Sequence, residues 1–565
     1  MTPITTHTAL PLPFSVVRYL RTMKPFSVVR YLRTMKPLTT AIALLLACAQ
    51  PALGATTARS TGQGQRPGSL PLVAITADTA LNARSKVPAH MVVDGYNGPI
   101  GIKLRGNSSL SFNQKKYTLE LRDSLGREAH APLLGMPAHD KWVLLAPYND
   151  VSMVRDPLAF QLWRDMGHWA PRTRMVELRL NGDYRGIYIL AEAISRDSAR
   201  VDISKLKKSD TEGRQLTGGY LLSIDTYNAD DATFPSKVPG IGEGCMTSQV
   251  TWSCIYPKKK KLQPQQLDYI EQFVDSVELT IQSPHFTDPQ WGYSRLIDVP
   301  SFVDYFIHTE LSLNADGYKR SAYFYKEKLR ADGTGGKLVA GPVWDYNLAY
   351  GNCNFCNANK PEAWCFEGGS TQPTPALWQR LLQDPAFRHA VKQRYQQLRL
   401  GALSDTAITN YIDRHAQLIA AAIDRHFERY PELLVTEEQK RQHAQQQATA
   451  ATFPAMPMGG AFPPMPEGFT GFPPMPTGSE GFPPMPEGFG GFPAFGGFEG
   501  MDMIGWFAAY RVCSYDEEIA TLKEWLINRL AFLDKQIARF DTDFEPHIQQ
   551  PVEKKMPAFG GFPMP

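Results

Sequence analysis

Two aspartates in one stretch of the chain, Glu310 to Asn352, are placed to do chemistry. Asp316 ends a helical run and opens a turn at Gly317. Asp345 stands at the exit of an apolar run, KLVAGPVW, just before the polar Asn347. Between them, SAYFYKEK (Ser321 to Lys328) reads as a strand from its aromatic content and alternation. ADGTGG (Ala331 to Gly336) is a Gly-rich reversal. KLVAGPVW, almost wholly apolar, is predicted to be a strand buried on both faces. Two carboxylates flanking a hairpin suit phosphoryl transfer, where one accepts a hydroxyl proton and the other holds Mg²⁺. The same letters also read as a helix cap at Asp316 and a strand-end residue at Asp345. Residue types alone leave both readings open.

The elements that must position this stretch are strands first and helices later. LPLVAITAD (Leu70 to Asp78), GPIGIKLRGNSS (Gly98 to Ser109), QKKYTLELRD (Gln114 to Asp123) and DKWVLLAPYND (Asp140 to Asp150) read as strands. In the third of these, Tyr117, Leu119 and Leu121 share one face. Asp150 is placed to cap the helix VSMVRDPLAFQLWRDMG, with Gly167 as its stop. RMVELRLNGDYRGIYILAEAI is a hairpin turning at Asn181-Gly182, and GGYLLSID (Gly218 to Asp225) is one more strand. Helices follow, one of them N-capped by Asp298. More are expected around Pro375 to Gln383, Pro385 to Leu400 and Asp405 to Arg429, and Ser514 to Phe540 is strongly amphipathic.

The chain has 565 residues, a hydrophobic fraction of 43% and a net charge of +3. That composition supports a core and gives no global case for nucleic acid. The run Lys258 to Lys261 reads as a solvated loop. PFSVVRYLRTMK occurs twice in tandem near the start, each copy ending in Met-Lys, so Met35 is taken as the true initiator. From there a short basic start, an apolar run and Ala52-Leu53-Gly54 form a secretory signal cleaved before Ala55. A lipoprotein box ending at Cys48 is the alternative, and no segment reaches membrane-spanning length. Export places the protein in a secreted, periplasmic or surface location.

Seven cysteines occur. Removing Cys48 with the signal leaves an even set, which in an exported chain reads as disulfides. Cys245 with Cys254 is the nearest pair, and Cys353, Cys356 and Cys365 are expected to be bridged in the loop after Asp345. Cys353-Asn-Phe-Cys356 lacks the second half of a zinc site.

GFPPMPTG and GFPPMPEG recur between Phe453 and Gly500. Proline denies this segment helix and sheet, and glycine denies it stiffness, so it reads as a disordered or self-associating insert.

Four stretches together resemble the CotH (spore-coat protein H) kinase-like family. They are RGNSSLSFNQKKYTLELRD, the run KWVLLAPYNDVSMVRDPLAFQLWRDMG through RGIYILAEAI, TGGYLLSID, and LNADGYKRSAYFYK with GPVWDYNLAYGN. The likeness covers about Leu70 to Gly351. It implies an α+β, atypical protein-kinase-like fold, with a β-rich N-terminal lobe and a helical C-terminal lobe. It also implies ATP with Mg²⁺ or Mn²⁺, and Ser or Thr acceptors on secreted or surface proteins. Carried over by position, the catalytic Asp falls on Asp316 and the metal-binding Asp on Asp345. The phosphate-binding lysine falls on Lys115, with Lys116 as the alternative. Arg105 is a phosphate contact or a support for Gly106. Glu192 pairs with the phosphate lysine or orients another basic residue. Ser321 stands where kinase-type loops place a metal-binding Asn, with Asn347 as a substitute ligand and Asn314 as an orienting residue.

No GxxxxGK[ST] loop and no GxSxG elbow is present, which argues against P-loop and that type of serine-hydrolase chemistry. Three readings remain open: an exported kinase, a non-catalytic surface or assembly protein on the same fold, and transfer of a whole nucleotide monophosphate. The expected organisation is a leader and signal over 1–54, a flexible segment over 55–69 and the kinase-like domain over 70–440. The insert occupies 453–500, a C-terminal helix packing on the domain 501–545, and a disordered tail 546–565.

Overall fold

Asn181 and Gly182 both adopt left-handed backbone, with φ +53° and +82°, as a two-residue type I′ turn requires. They join strand β8 (Thr173–Leu180) to β9 (Asp183–Glu192), and Leu180 pairs with Asp183 across the turn. Around this hairpin the computed structural model describes residues 69–227, 231–242, 248–367, 372–452 and 508–547. The signal segment, Cys245 and the Phe453–Gly500 repeat lie outside the described residues, as does the tail beyond 547.

The remaining early strands are β1 (Leu72–Thr76), β2 (Val87–Val93), β3 (Tyr96–Arg105), β4 (Lys116–Leu121) and β7 (Lys141–Leu145), with a small hairpin of β5 (Ala131–Leu133) and β6 (Met136–His139). The sequence predicts a β-rich lobe, and the strands go further and close into a barrel, in the order β1-β2-β3-β4-β7-β9-β8. Closure comes from β1, which pairs parallel with β8 on one side and antiparallel with β2 on the other. No edge of this sheet is left to recruit a foreign strand.

Side chains alternate across the barrel wall with the strand period. Trp142, Leu144, Tyr188 and Leu190 fill the interior. Val143, Leu145, Ile187 and Ile189 point outward into a second core shared with the helices.

That second core lies under a five-stranded antiparallel sheet. Its order is β11 (Ala232–Pro235), β12 (Thr251–Tyr256), β10 (Tyr220–Ile224), β13 (Ala322–Lys326) and β14 (Leu338–Ala340). Among the described residues, the α-helices of five residues or more are α1 (Arg155–Asp165), α2 (Pro264–Gln282), α3 (Val299–Ser312), α4 (Leu377–Leu381), α5 (Pro385–Arg399), α6 (Asp405–Arg429), α7 (Glu437–Thr452) and α8 (Tyr515–Ala538). The fold is therefore mixed α+β. No helix among the described residues is long and apolar enough to cross a membrane.

Three local expectations are corrected. KLVAGPVW forms a ladder only over Leu338–Ala340, because Pro342 has no N–H to give a neighbouring strand. Val343 and Trp344 are still buried, in an irregular segment. Helix α1 starts at Arg155 rather than directly after Asp150. Asp150 instead accepts the Arg155 backbone N–H at 3.0 Å and binds its guanidinium at 2.6 Å. The expected disulfides after Asp345 are absent: Cys353, Cys356 and Cys365 are free thiols. Each has its own neighbour, Phe355 O at 3.8 Å, Lys319 Nζ at 3.7 Å and Asn314 O at 3.4 Å respectively.

Helix α8 ties the domain together. Arg529, fully buried, donates to Pro361 O at 2.7 Å and lies 3.4 Å from the carboxylate of Glu310 on α3. Glu518 receives the buried Arg155 guanidinium at 2.6 Å. Just ahead of α8, Val512 O accepts a hydrogen bond from Val435 N at 3.1 Å.

Candidate active site

Strand parity decides which lysine faces the helical side. Tyr117, Leu119 and Leu121 point into the barrel, so Lys116 points out of it. Lys116 is 7% exposed, and its ammonium stands 3.6 Å from Asp345 Oδ1. Lys115 shares the parity of Tyr117, and its ammonium is spent on Leu110 O at 2.6 Å. Of the two lysines weighed for the phosphate role, Lys116 is the one that stands at Asp345. Burial pulls the Lys115 ammonium below the usual lysine range.

Arg105 is the cross-strand partner of Lys116, so both lie on the same face of the barrel. Its guanidinium sits 4.8 Å over the Trp344 ring, which fixes it next to the segment carrying Asp345. The following turn has Gly106 at φ +120°, a conformation that glycine adopts at least cost. From this turn Asn107 donates to Thr226 Oγ1 at 2.6 Å.

Asp316 and Asp345 come together through Asn314. Its side-chain amide donates to Asp345 O at 3.3 Å, and its Oδ1 accepts from Asp316 N at 3.2 Å. Left-handed backbone concentrates here: Tyr318 at φ +68°, Ser321 at +50° and Asp345 at +65°. Each such non-glycine residue costs on the order of 1–3 kcal/mol, and such strain clusters where a side chain must be aimed.

Two further carboxylates belong to this centre that sequence reasoning passed over. Asp156, in the first turn of α1, is buried and accepts Tyr346 N–H at 2.6 Å. Asp225, at the end of β10, accepts the Ser321 hydroxyl at 3.2 Å and Thr226 N–H at 2.7 Å. Burial pushes Asp156 up to about 7, and the Asp345 carboxylate adds to that while Lys116 opposes it. Burial likewise pushes Asp225 up to about 6, again with Asp345 adding. Asp316 is raised by burial and then by Asp345, against Arg320 and Lys319. Lys116 and Asp156 are buried, whereas Asp225, Asp316 and Asp345 are partly open to solvent.

Glu192 does not reach this centre. It is fully buried and grips Arg172 through two bonds of 2.9 Å, with Arg200 at 3.7 Å. Of its two expected roles, these contacts match the one in which Glu192 orients another basic residue. The side-chain amide of Asn347 is committed to Asn149 Oδ1 at 2.7 Å.

The side chains of Asp345, Asp156, Asp225 and Asp316 offer oxygen, and the Asp345 charge repels those of the other three. That suits a hard divalent cation such as Mg²⁺ or Mn²⁺, which takes oxygen ligands and offsets crowded negative charge. An anion would find Lys116 and Arg105 on the facing barrel wall. The class of molecule is therefore an α+β protein with a lysine–carboxylate centre at the junction of a barrel and a helical body. The chain belongs to the CotH kinase family: the family model, CotH kinase protein, matches residues 102–451. Membership makes it a kinase-like protein. It is similar to inner spore coat protein H of Bacillus subtilis (strain 168), 22% identical over 311 residues, which span 54% of this chain and 73% of that protein.

Proposed function

We propose that this chain is an exported, ATP-dependent protein kinase that transfers the γ-phosphate to Ser or Thr hydroxyls of secreted or surface proteins. The observation that carries the reading is the ion pair of Lys116 with Asp345, at 3.6 Å, inside a group of raised carboxylates. We read the barrel as the N-terminal lobe and the helical body as the C-terminal lobe of an atypical kinase.

In this reading Lys116, with Arg105 beside it, holds phosphate oxygens. Asp345 is the principal metal ligand, and Asp225 and Asp156 are further oxygen donors. When bound, Mg²⁺ or Mn²⁺ with ATP supplies charge neutralisation of the transferred phosphoryl group. Asp316 orients the acceptor hydroxyl and takes its proton, and its raised basicity suits that task. Asn314 holds Asp316 and Asp345 in fixed relation. Positioning and electrostatics carry most of the rate in such transfers. A relative named for an inner spore coat supports an assembled surface layer as the setting of the acceptor.

One observation favours a second reading, a non-catalytic surface or assembly protein. Ser321, whose hydroxyl donates to Asp225, stands where kinase-type loops place a metal-binding Asn. The deciding experiment is a thermal-shift titration with ATP and Mg²⁺ or Mn²⁺, on the wild type and on Asp345→Ala. Metal-dependent stabilisation lost in the variant supports the kinase. A wild type unmoved by either metal supports the assembly protein.

A further inference from the structure

A polar cavity lies at the opposite end of β13 from Ser321. It has a volume of about 520 Å³, within the range of small-molecule sites. Strand β13 rises roughly 3.3 Å per residue, which puts Lys326 about 16 Å along the chain from Ser321. Asp345, Asp316 and Lys116 take no part in its lining.

Lys326 is the cavity's buried cation, 1% exposed. Its ammonium lies 4.5 Å from the centre of the Phe273 ring and 5.2 Å from that of Tyr269, and it donates to Thr217 O. No carboxylate lies within ion-pair distance of it among the described residues. A buried ammonium without a counter-charge is costly. Burial accordingly pulls Lys326 down to about 8, with only Glu327 opposing.

Two more cations complete the lining, and none of the lining residues is acidic. Arg295 donates to Gln290 O at 2.6 Å, and Lys337 donates to Ser294 O at 2.7 Å. These bonds use a fraction of the three donors of a lysine and the five of an arginine. Three cations, two aromatic rings and no carboxylate describe a receptor for an anion with an apolar body.

We propose that this cavity binds a small phosphate monoester, its phosphate on Lys326, Arg295 and Lys337 and its apolar body along Tyr269 and Phe273. Arginine and lysine together favour phosphate through charge-assisted hydrogen bonds. The fully buried Lys326 at the base favours a small ligand over an extended chain. The site is separate from the proposed nucleotide centre and does not depend on that centre being active.

The test is thermal shift and calorimetry on the full chain with phenyl phosphate, no divalent cation added, and phenol as the uncharged control. The expected result is saturable stabilisation by phenyl phosphate and none by phenol. Arg295→Glu with Lys337→Glu changes side chains at the surface of the fold and should weaken binding by about tenfold or more. Lys326→Met keeps an unbranched apolar side chain without the ammonium and should do the same, while Asp345→Ala should leave binding intact. Absence of stabilisation in the wild type overturns the proposal. So does binding that survives Arg295→Glu/Lys337→Glu, or binding lost in Asp345→Ala, which would assign the effect to the nucleotide centre.

Discussion

Lys116 Nζ faces Asp345 Oδ1 across 3.6 Å, joining a barrel strand to the segment that follows β14. Removing the cation should therefore be felt at the metal and nucleotide site. Lys116→Met is expected to weaken metal-dependent ATP binding by about tenfold or more, and Lys115→Met to leave it nearly unchanged. Isothermal calorimetry on both variants checks this. Equal losses would remove the distinction between the two lysines.

Asp316 and Asp345 should separate by function. Asp316→Asn is expected to keep metal-dependent nucleotide stabilisation while lowering phosphoryl transfer by ~10²–10⁴-fold. Asp345→Asn is expected to lose both. ATP turnover measured beside thermal shift distinguishes them, and an Asp316→Asn variant with undiminished turnover would remove its role.

The raised carboxylates give the protein a pH signature. Asp156 is raised to about 7 in the fold, against about 3.9 in an unfolded chain. Between those values the folded state holds the proton more tightly, so stability falls as pH rises through that window and levels off above it. Asp225 and Glu310, raised to about 6 and about 7 by burial, act in the same direction. Asp156→Asn can still accept the Tyr346 N–H. It should flatten the fall by on the order of 2–4 kcal/mol. Urea unfolding across the window measures this, and an unchanged slope would show that Asp156 does not hold its proton there.

The pair of Arg529 with Glu310 is buried on both sides. Glu310 also accepts Cys365 N–H at 2.8 Å, Phe366 N–H at 2.9 Å and the Tyr318 hydroxyl at 2.9 Å. Arg529→Leu leaves that carboxylate without its cation and should cost ~3–5 kcal/mol. Adding Glu310→Gln should recover part of the loss, a non-additivity readable in chemical denaturation. Strict additivity would mean that the two side chains do not interact.

Much of the scaffold was legible in residue pattern. Asn181-Gly182 dictated the β8–β9 hairpin, because few other pairs tolerate two successive positive φ values. The alternation Tyr117, Leu119, Leu121 marked the barrel face of β4, and the same alternation held the answer to the lysine question. A residue one position before Tyr117 must face away from the barrel, whereas one two positions before it shares the barrel side.

Asp156 was hidden for a different reason. An acidic residue in a first helical turn is ordinary, and only the approach of Tyr346 N from far along the chain makes it part of a site. Asp225 was recognised as a strand end, but its link to Ser321 depends on the β10–β13 pairing. Glu192 carried the right letter in the right strand, yet its partners Arg172 and Arg200 are set by local folding. The barrel's closure by parallel β1–β8 pairing and the free state of Cys353, Cys356 and Cys365 are likewise properties of three-dimensional neighbours.

Helix α8 gives the order of synthesis a physical meaning. Arg155 and Glu310 leave the ribosome early, but their partners Glu518 and Arg529 follow the Phe/Pro/Met/Gly repeat in the chain. Until α8 emerges, Glu310 lacks Arg529, and Arg155 has only Asp150 of its two carboxylate partners. The nascent protein must therefore carry the entire repeat before its folded domain is complete, which couples maturation of the site to production of that segment.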